Sequence, residues 1–162
     1  MTRTAARELA VRLGFSLSFE TAPASELLDE FFAEEHFETL KGEDEIFSSM
    51  PDEEQMRYIR DTVEGVEEHR HELDGYIEEY SLGWRLERIS RAAASVLRVA
   101  MYEILYVDDV PTAAAINEAV ELAKRYEEPE TVAFINGILG SFVRGMQGGE
   151  STGTAEAEGA EE

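Results

Sequence analysis

The chain has 162 residues, 43% of them hydrophobic, no cysteine, and a formal charge of −22 from 14 Lys and Arg against 36 Asp and Glu. That apolar fraction excludes a wholly disordered chain, and the length suits one domain near the common size of about 150 residues. The lack of cysteine excludes a disulfide framework, a thiolate zinc site and a cysteine nucleophile. No stretch reaches the ~20 apolar residues of a membrane span. Arg3, Arg7, Glu8 and Arg12 interrupt the N-terminal apolar residues, so no signal peptide is expected and a cytoplasmic location is. The charge is uneven. Residues 1–19 carry three Arg and one Glu, residues 20–54 carry 13 acids and only Lys41, and residues 145–162 carry five Glu and no base. A second basic island, Arg85, Arg88, Arg91 and Arg98, faces Glu87 alone between Trp84 and Arg98. With a screening length of about 8 Å, such an island acts locally whatever the net charge.

Apolar residues recur at helical spacing almost throughout, and no segment alternates as a strand would. A first helix carries Ala6, Leu9, Ala10, Leu13 and Leu17 on one face. A second runs around Leu27, Leu28, Phe31 and Phe32, started by Pro23 and Ser25 and followed by Lys41-Gly42. Ser49 and Asp52 around Pro51 form a start signal. The stripe behind it, Met56, Ile59, Val63, Val66, Leu73, Ile77 and Tyr80, predicts one long helix, with Arg70 where one apolar residue is missing. After Gly83 a short helical turn leads to Val96, Leu97, Ala100, Met101, Ile104 and Leu105. Pro111 separates these from a helix lined by Ile116, Ala119, Val120 and Ala123, and Pro129 breaks the chain again. Val132, Ile135, Leu139 and Phe142 form the last stripe. The expected architecture is an all-helical domain over 1–144, with halves 1–80 and 84–144 meeting near Ser81-Leu82-Gly83, and a disordered acidic tail over 145–162.

The residues offer little catalytic chemistry. His69 and His71 sit roughly 200° apart on a helix and do not form the His-Glu-x-x-His pair of zinc hydrolases, so no metal site is expected. The 36 acids guarantee close carboxylate pairs and so make any one pair uninformative. There is no Gly-rich phosphate loop and no G-x-S-x-G elbow. No cofactor, no catalytic residue and no enzyme activity are expected.

The first helix says more. With Arg3 at zero and 100° per residue, Arg7 lies at roughly 40°, Phe15 at roughly 120° and the Leu stripe near roughly 290°. Arg3 and Arg7 thus stack off the core face, and Phe15 points almost opposite it. Cations beside an exposed ring suit single-stranded nucleic acid. The competing reading makes Val11, Phe15 and Phe19 a second apolar stripe buried against the other half. Trp84 beside Arg85 has two readings as well, an interaction anchor or a plug between subdomains. Arg88 and Arg91 read as a solvated face or a partner contact, and Asn117-Glu118 as a polar site or an internal hydrogen-bonding pair.

Several linked motifs in order resemble the transcription antitermination factor NusB family. They are Trp84-Arg-Leu-Glu-Arg-Ile, Val96-Leu-Arg-Val-Ala-Met-Tyr-Glu-Ile-Leu-Tyr, Asp109-Val-Pro, Ile116-Asn-Glu-Ala-Val-Glu-Leu-Ala-Lys-Arg-Tyr and Phe134-Ile-Asn-Gly-Ile-Leu. Ala6-Arg-Glu-Leu-Ala-Val and Tyr58-Ile-Arg-Asp-Thr-Val-Glu-Gly-Val extend the likeness over residues 3–144. The resemblance implies about seven helices in two three-helix subdomains. It implies a non-enzymatic adaptor that, with the small-subunit ribosomal protein NusE, binds boxA-type single-stranded RNA in nascent transcripts, including ribosomal RNA leaders, within the transcription elongation complex. Some members pair as homodimers. Carried onto this chain, the family's RNA contacts are Arg3, Arg7, Phe15 and Phe134, and its NusE face includes Tyr80 and Glu87. The chain departs from the family where Thr4-Ala5-Ala6 thins an Arg run, where Phe15 replaces a frequent Tyr, where Ala133 replaces a common Lys, and where Ala93-Ala94 replaces an acid–base pair. Each phosphate left without its cation lowers the salt slope of binding by about one unit. These departures imply weak RNA binding by the chain alone, with a basic NusE supplying most of the electrostatics and the acidic body its complement. The alternative is a helical protein-interaction scaffold with little RNA binding of its own. An accessory domain of an RNA methyltransferase would need a long catalytic region after residue 144.

Overall fold

The structure, a computed structural model, describes residues 1–19, 22–82 and 84–151, with side chains to residue 147. Among these residues it is all helical. Helix α1 (Arg3–Leu17) starts at Thr2, whose hydroxyl accepts from the Ala5 N–H at 3.0 Å. Helices α2 (Ala24–Phe31) and α3 (Glu34–Leu40) and a 3₁₀ turn at Glu45–Phe47 follow. Asp52 caps α4 (Glu53–Glu68) by accepting from Gln55 N–H at 2.9 Å, so the start signal around Pro51 acts as expected. Then come α5 (Arg70–Tyr80), a 3₁₀ turn at Leu86–Arg88, α6 (Arg91–Tyr106) capped by Ser90, α7 (Thr112–Ala123) and α8 (Pro129–Ser151).

Two hydrophobic cores organise these helices. The first holds Leu9, Leu13 and Leu17 of α1 with Leu28, Phe32, Phe37, Phe47, Ile59 and Val63. The second holds Leu73 and Ile77 of α5, most of α6, and Ile135, Leu139 and Phe142 of α8. Helix α1 lies between them, and its Val11 belongs to the second core. Burial at roughly 25 cal/mol per Å² of apolar surface drives both.

Three expectations need correction. The predicted long helix is two, broken at His69 (φ −102°, ψ 18°). The stripe changes core just before it: Ile59 and Val63 serve the first core, while Val66, Leu73 and Ile77 serve the second. Helix α5 therefore packs with the C-terminal half, and the cores divide near residue 69 rather than at the Ser81-Leu82-Gly83 junction, of which Gly83 lies outside the described residues. The second helix, expected between Pro23 and the Lys41-Gly42 region, is likewise two, α2 and α3, parted at Phe32-Ala33, and α3 buries Phe37. Finally, residues 145–151 are not tail but the end of α8. Met146 packs on the second core, and Gly145 sits so close to Tyr80 that a Cβ there would overlap the phenol. Residues 152–162 lie outside the described part.

Candidate nucleic-acid interface

The two cations of the first helix have different fates. Arg3 is partly exposed; its guanidinium lies 4.2 Å over the Tyr58 ring, donates from Nε to Gln55 Oε1 at 2.9 Å, and comes within 3.9 Å of Glu54. Arg7 is only 6% exposed. Its Nε and Nη2 make a bidentate pair with Glu103 at 2.8 and 2.9 Å, and its Nη1 meets Glu118 at 3.1 Å. Tyr58 donates to the same Glu103 at 2.7 Å. Burial is the largest single influence on Arg7 and opposes its charge, but the hydrogen bond to Glu103 together with the charges of Tyr58, Glu103 and Glu118 outweighs it, so the pKa is raised. Three of the five Arg7 N–H donors are thus held by carboxylates and little of the guanidinium faces solvent, unlike the exposed position that the helical wheel gives it. Its Glu118 partner is the acid of the Asn117-Glu118 pair, which serves an internal contact.

The aromatic residues come closer to a binding surface. Along the stripe Val11, Phe15, Phe19 exposure rises from buried to 37% to 60%. The stripe begins in the second core and emerges into solvent, so each of the two readings holds for part of it. Phe15 and Phe19 meet edge to face at 5.2 Å. Phe15 also lines an apolar slot of about 270 Å³ with Val11, Ala92, Val96, Arg12 and Tyr126. Behind the slot, buried Glu8 accepts from Tyr126 Oη at 2.5 Å, from Arg12 at 3.1 Å and from Arg125 at 2.6 Å. Arg12 also pairs with Asp44 at 2.9 Å. Burial, followed by the hydrogen bond to Glu8, raises the Tyr126 phenol. Sequence reasoning does not single out Arg12 and Tyr126. Their signal is present in the Lys-Arg-Tyr end of the Ile116 motif, but nothing local places that turn against α1.

Phe134 lies at the start of α8, half-buried, with its ring 5.9 Å from that of Trp84 at 62°. Trp84 is 50% exposed, so it is no interior plug. These two rings line a second cavity of about 360 Å³. The N-terminus of α6 separates the two cavities: Ala92 lines the Phe15 slot and Ser90 the Phe134 cavity. Phe15 and Phe134 therefore flank one helix end, whereas Arg3 stands about 18 Å from Phe15 along α1 at 1.5 Å per residue. On the expected partner face, Glu87 is exposed, while Tyr80 is half-buried against Phe142 at 6.0 Å beneath the end of α8. Leu82 beside them is almost fully exposed in the left-handed region (φ 55°).

Two helical cores, to both of which α1 and α4 contribute, with aromatic-lined cavities at a helix end, define an all-helical two-core fold whose described residues contain no cluster of metal-ligating side chains. The chain belongs to the NusB family, whose model matches residues 4–144. It is 41% identical over 144 residues to the transcription antitermination protein NusB of Acetivibrio thermocellus, covering 89% of this chain and 90% of that protein. The solved structure of T. maritima NusB superposes with a TM-score of 0.73 at 28% identity, covering 89% of this chain and 92% of that one. A structure described as antitermination factors NusB and NusE in complex with dsRNA shares the fold, with a TM-score of 0.69 at 18% identity over 88% and 96% of the two chains.

Proposed function

We propose that this chain is a cytoplasmic, non-enzymatic adaptor of transcription antitermination that binds boxA-type single-stranded RNA together with NusE. The observation that carries this reading is the Phe15 slot. An exposed ring, Tyr126 and Arg12 line an apolar recess of about 270 Å³, large enough for a nucleobase, in a chain of the NusB family. Bases stack on such rings with little sequence preference, and the polar rim orients them. Phe15 and Phe134 are the base contacts of this reading, and Arg3 lies at its far end. Arg7 ties the two halves together instead. Glu87 and the turn carrying Leu82 form the NusE side.

The test is fluorescence anisotropy of a labelled boxA-type RNA titrated with the chain, with and without purified NusE. The expected result is binding that tightens strongly with NusE, and loss of that binding for Phe15→Ala with NusE still bound. Absence of RNA binding in both titrations, with NusE bound, would leave the protein scaffold, the reading favoured by the internal pairing of Arg7.

A further inference from the structure

Ten of the 14 Lys and Arg residues stand in ion pairs with carboxylates. The other four are Arg85, Arg88, Arg91 and Arg144, and none has a carboxylate at ion-pair distance among the described residues. Three of these four fall within the seven residues 85–91. In a chain with 36 acids, that leaves one short stretch whose positive charge no carboxylate among the described residues neutralises at ion-pair distance. The same stretch is bordered by aromatic rings. Arg91 lies 4.2 Å over the Phe19 ring and donates from Nη1 to the Ser18 carbonyl at 3.1 Å. Phe19 in turn meets Phe15. Arg88 lines the cavity between Trp84 and Phe134. Spaced three apart across a 3₁₀ turn, Arg85 and Arg88 share a side of it, and Glu87 does not.

We infer that the strip Trp84–Arg91 is a second nucleotide subsite, in which a base of single-stranded RNA enters between Trp84 and Phe134 while Arg88 and Arg91 hold the phosphates leading to the Phe15 slot. This rests on the RNA-binding reading and extends it. The acids around the strip set the polarity. Glu130 lines the cavity, and Glu127 accepts from Ser90 Oγ at 2.9 Å just beside it. Both repel a phosphate from the recess but accept from the N–H groups of a base, so the base points inward and the phosphates outward onto the arginines. The charge argues for a polyanion over a basic protein: residues 20–54, with 13 acids, suit a basic partner, and three unpaired arginines do not. The strip also provides phosphate contacts that the internal pairing of Arg7 and the thinned Arg run remove from α1.

Trp84 is the sole tryptophan, so its emission reports on this subsite. Titration of the chain with a single-stranded RNA of about 12 nucleotides, within the range of known site sizes, at roughly 50 mM salt is expected to quench that emission saturably. By anisotropy, Trp84→Ala weakens binding about 5- to 150-fold, the range for losing one stacked base, and Trp84→Phe restores most of it. The surface pair Arg88→Gln/Arg91→Gln lowers the slope of log affinity against log salt by about 0.7 for each phosphate no longer neutralised. Matching thermal melts for these variants exclude misfolding. Unchanged emission at saturating RNA, or an unchanged salt slope, overturns the inference. So does normal RNA binding by variants that no longer bind NusE, which makes the strip a protein face. If Phe15→Ala cuts RNA binding and the strip variants do not, the inference alone fails. If the unaltered chain binds no RNA with or without NusE, the RNA-binding reading fails with it.

Discussion

Arg7 shows how a residue's role turns on one neighbour from a distant part of the sequence. A buried arginine is tolerable only because Glu103 and Glu118 take its donors, and Glu103 is tolerable because Arg7 and Tyr58 take its oxygens. Removing one partner of such a pair costs about 3–5 kcal/mol, whereas replacing both by apolar groups is often neutral. Arg7→Met is therefore expected to lower the urea-derived stability by about 3–5 kcal/mol. Arg7→Met/Glu103→Leu is expected to recover much of that loss, leaving the Tyr58 hydroxyl as the main remaining cost. Where it is still folded, Arg7→Met should bind RNA as the unaltered chain does. A variant of unchanged stability with impaired RNA binding would return Arg7 to the interface. A helical wheel places Arg7 off the core because it assumes one buried face. Helix α1 has two, and the second is marked in sequence only by Val11 and a charged residue, a pattern that also describes solvent exposure.

At the scale of elements, periodicity reads the main buried face of a helix well. The faces of α1, α6 and α8 all match their stripes. It fails at the break between α4 and α5, where the stripe continues in sequence across a change of core. The missing apolar residue at Arg70 is the visible trace of that break. His69 there stacks on Tyr106 with ring centroids 4.4 Å apart, and both contact Glu72. Tyr102 packs against the same rings and lies over Gly65 of α4. A Cβ at Gly65 would overlap the Tyr102 ring. Gly65→Ala gains up to about 1 kcal/mol of helix propensity but overpacks this contact at about 1–3 kcal/mol. The overpacking wins, and the variant should be less stable in urea by about 1 kcal/mol or more. Gly75, with nothing near its Cβ in the next helix, provides the control: Gly75→Ala should be stabilising. Equal effects at the two positions would show that the Tyr102 ring moves aside freely.

For the whole molecule, the class of fold is legible because helical periodicity is local, and the family is legible because its motifs are contiguous. The assembly of the interface is not, since the Phe15 slot needs Tyr126 and Ala92 from elsewhere in the chain. Nor does sequence show which charges pair internally, and this decides how the net −22 behaves. Self-repulsion of that charge destabilises the compact state, and salt screens it. The melting temperature should therefore rise between low and physiological salt, while RNA affinity falls because phosphate contacts release counterions. The two opposite trends in one buffer series separate global charge from the local arginine strip. A melting temperature that falls with salt would mean that the internal ion pairs outweigh the excess of acid. At alkaline pH the same repulsion grows. All six tyrosines have raised pKa values, chiefly through burial, and for Tyr106 first through the hydrogen bond to Glu72, which pushes it up to about 12. A phenol that holds its proton more tightly when folded contributes stability that is complete below its unfolded pKa near 10. That contribution is lost as pH rises through the folded value. Stability should therefore be level up to about pH 10 as far as the tyrosines are concerned, then fall through about pH 12, with tyrosinate absorbance appearing late and together with the loss of helix. Tyrosinate absorbance that appears near pH 10 in a chain still fully helical would show the phenols to be free in solution.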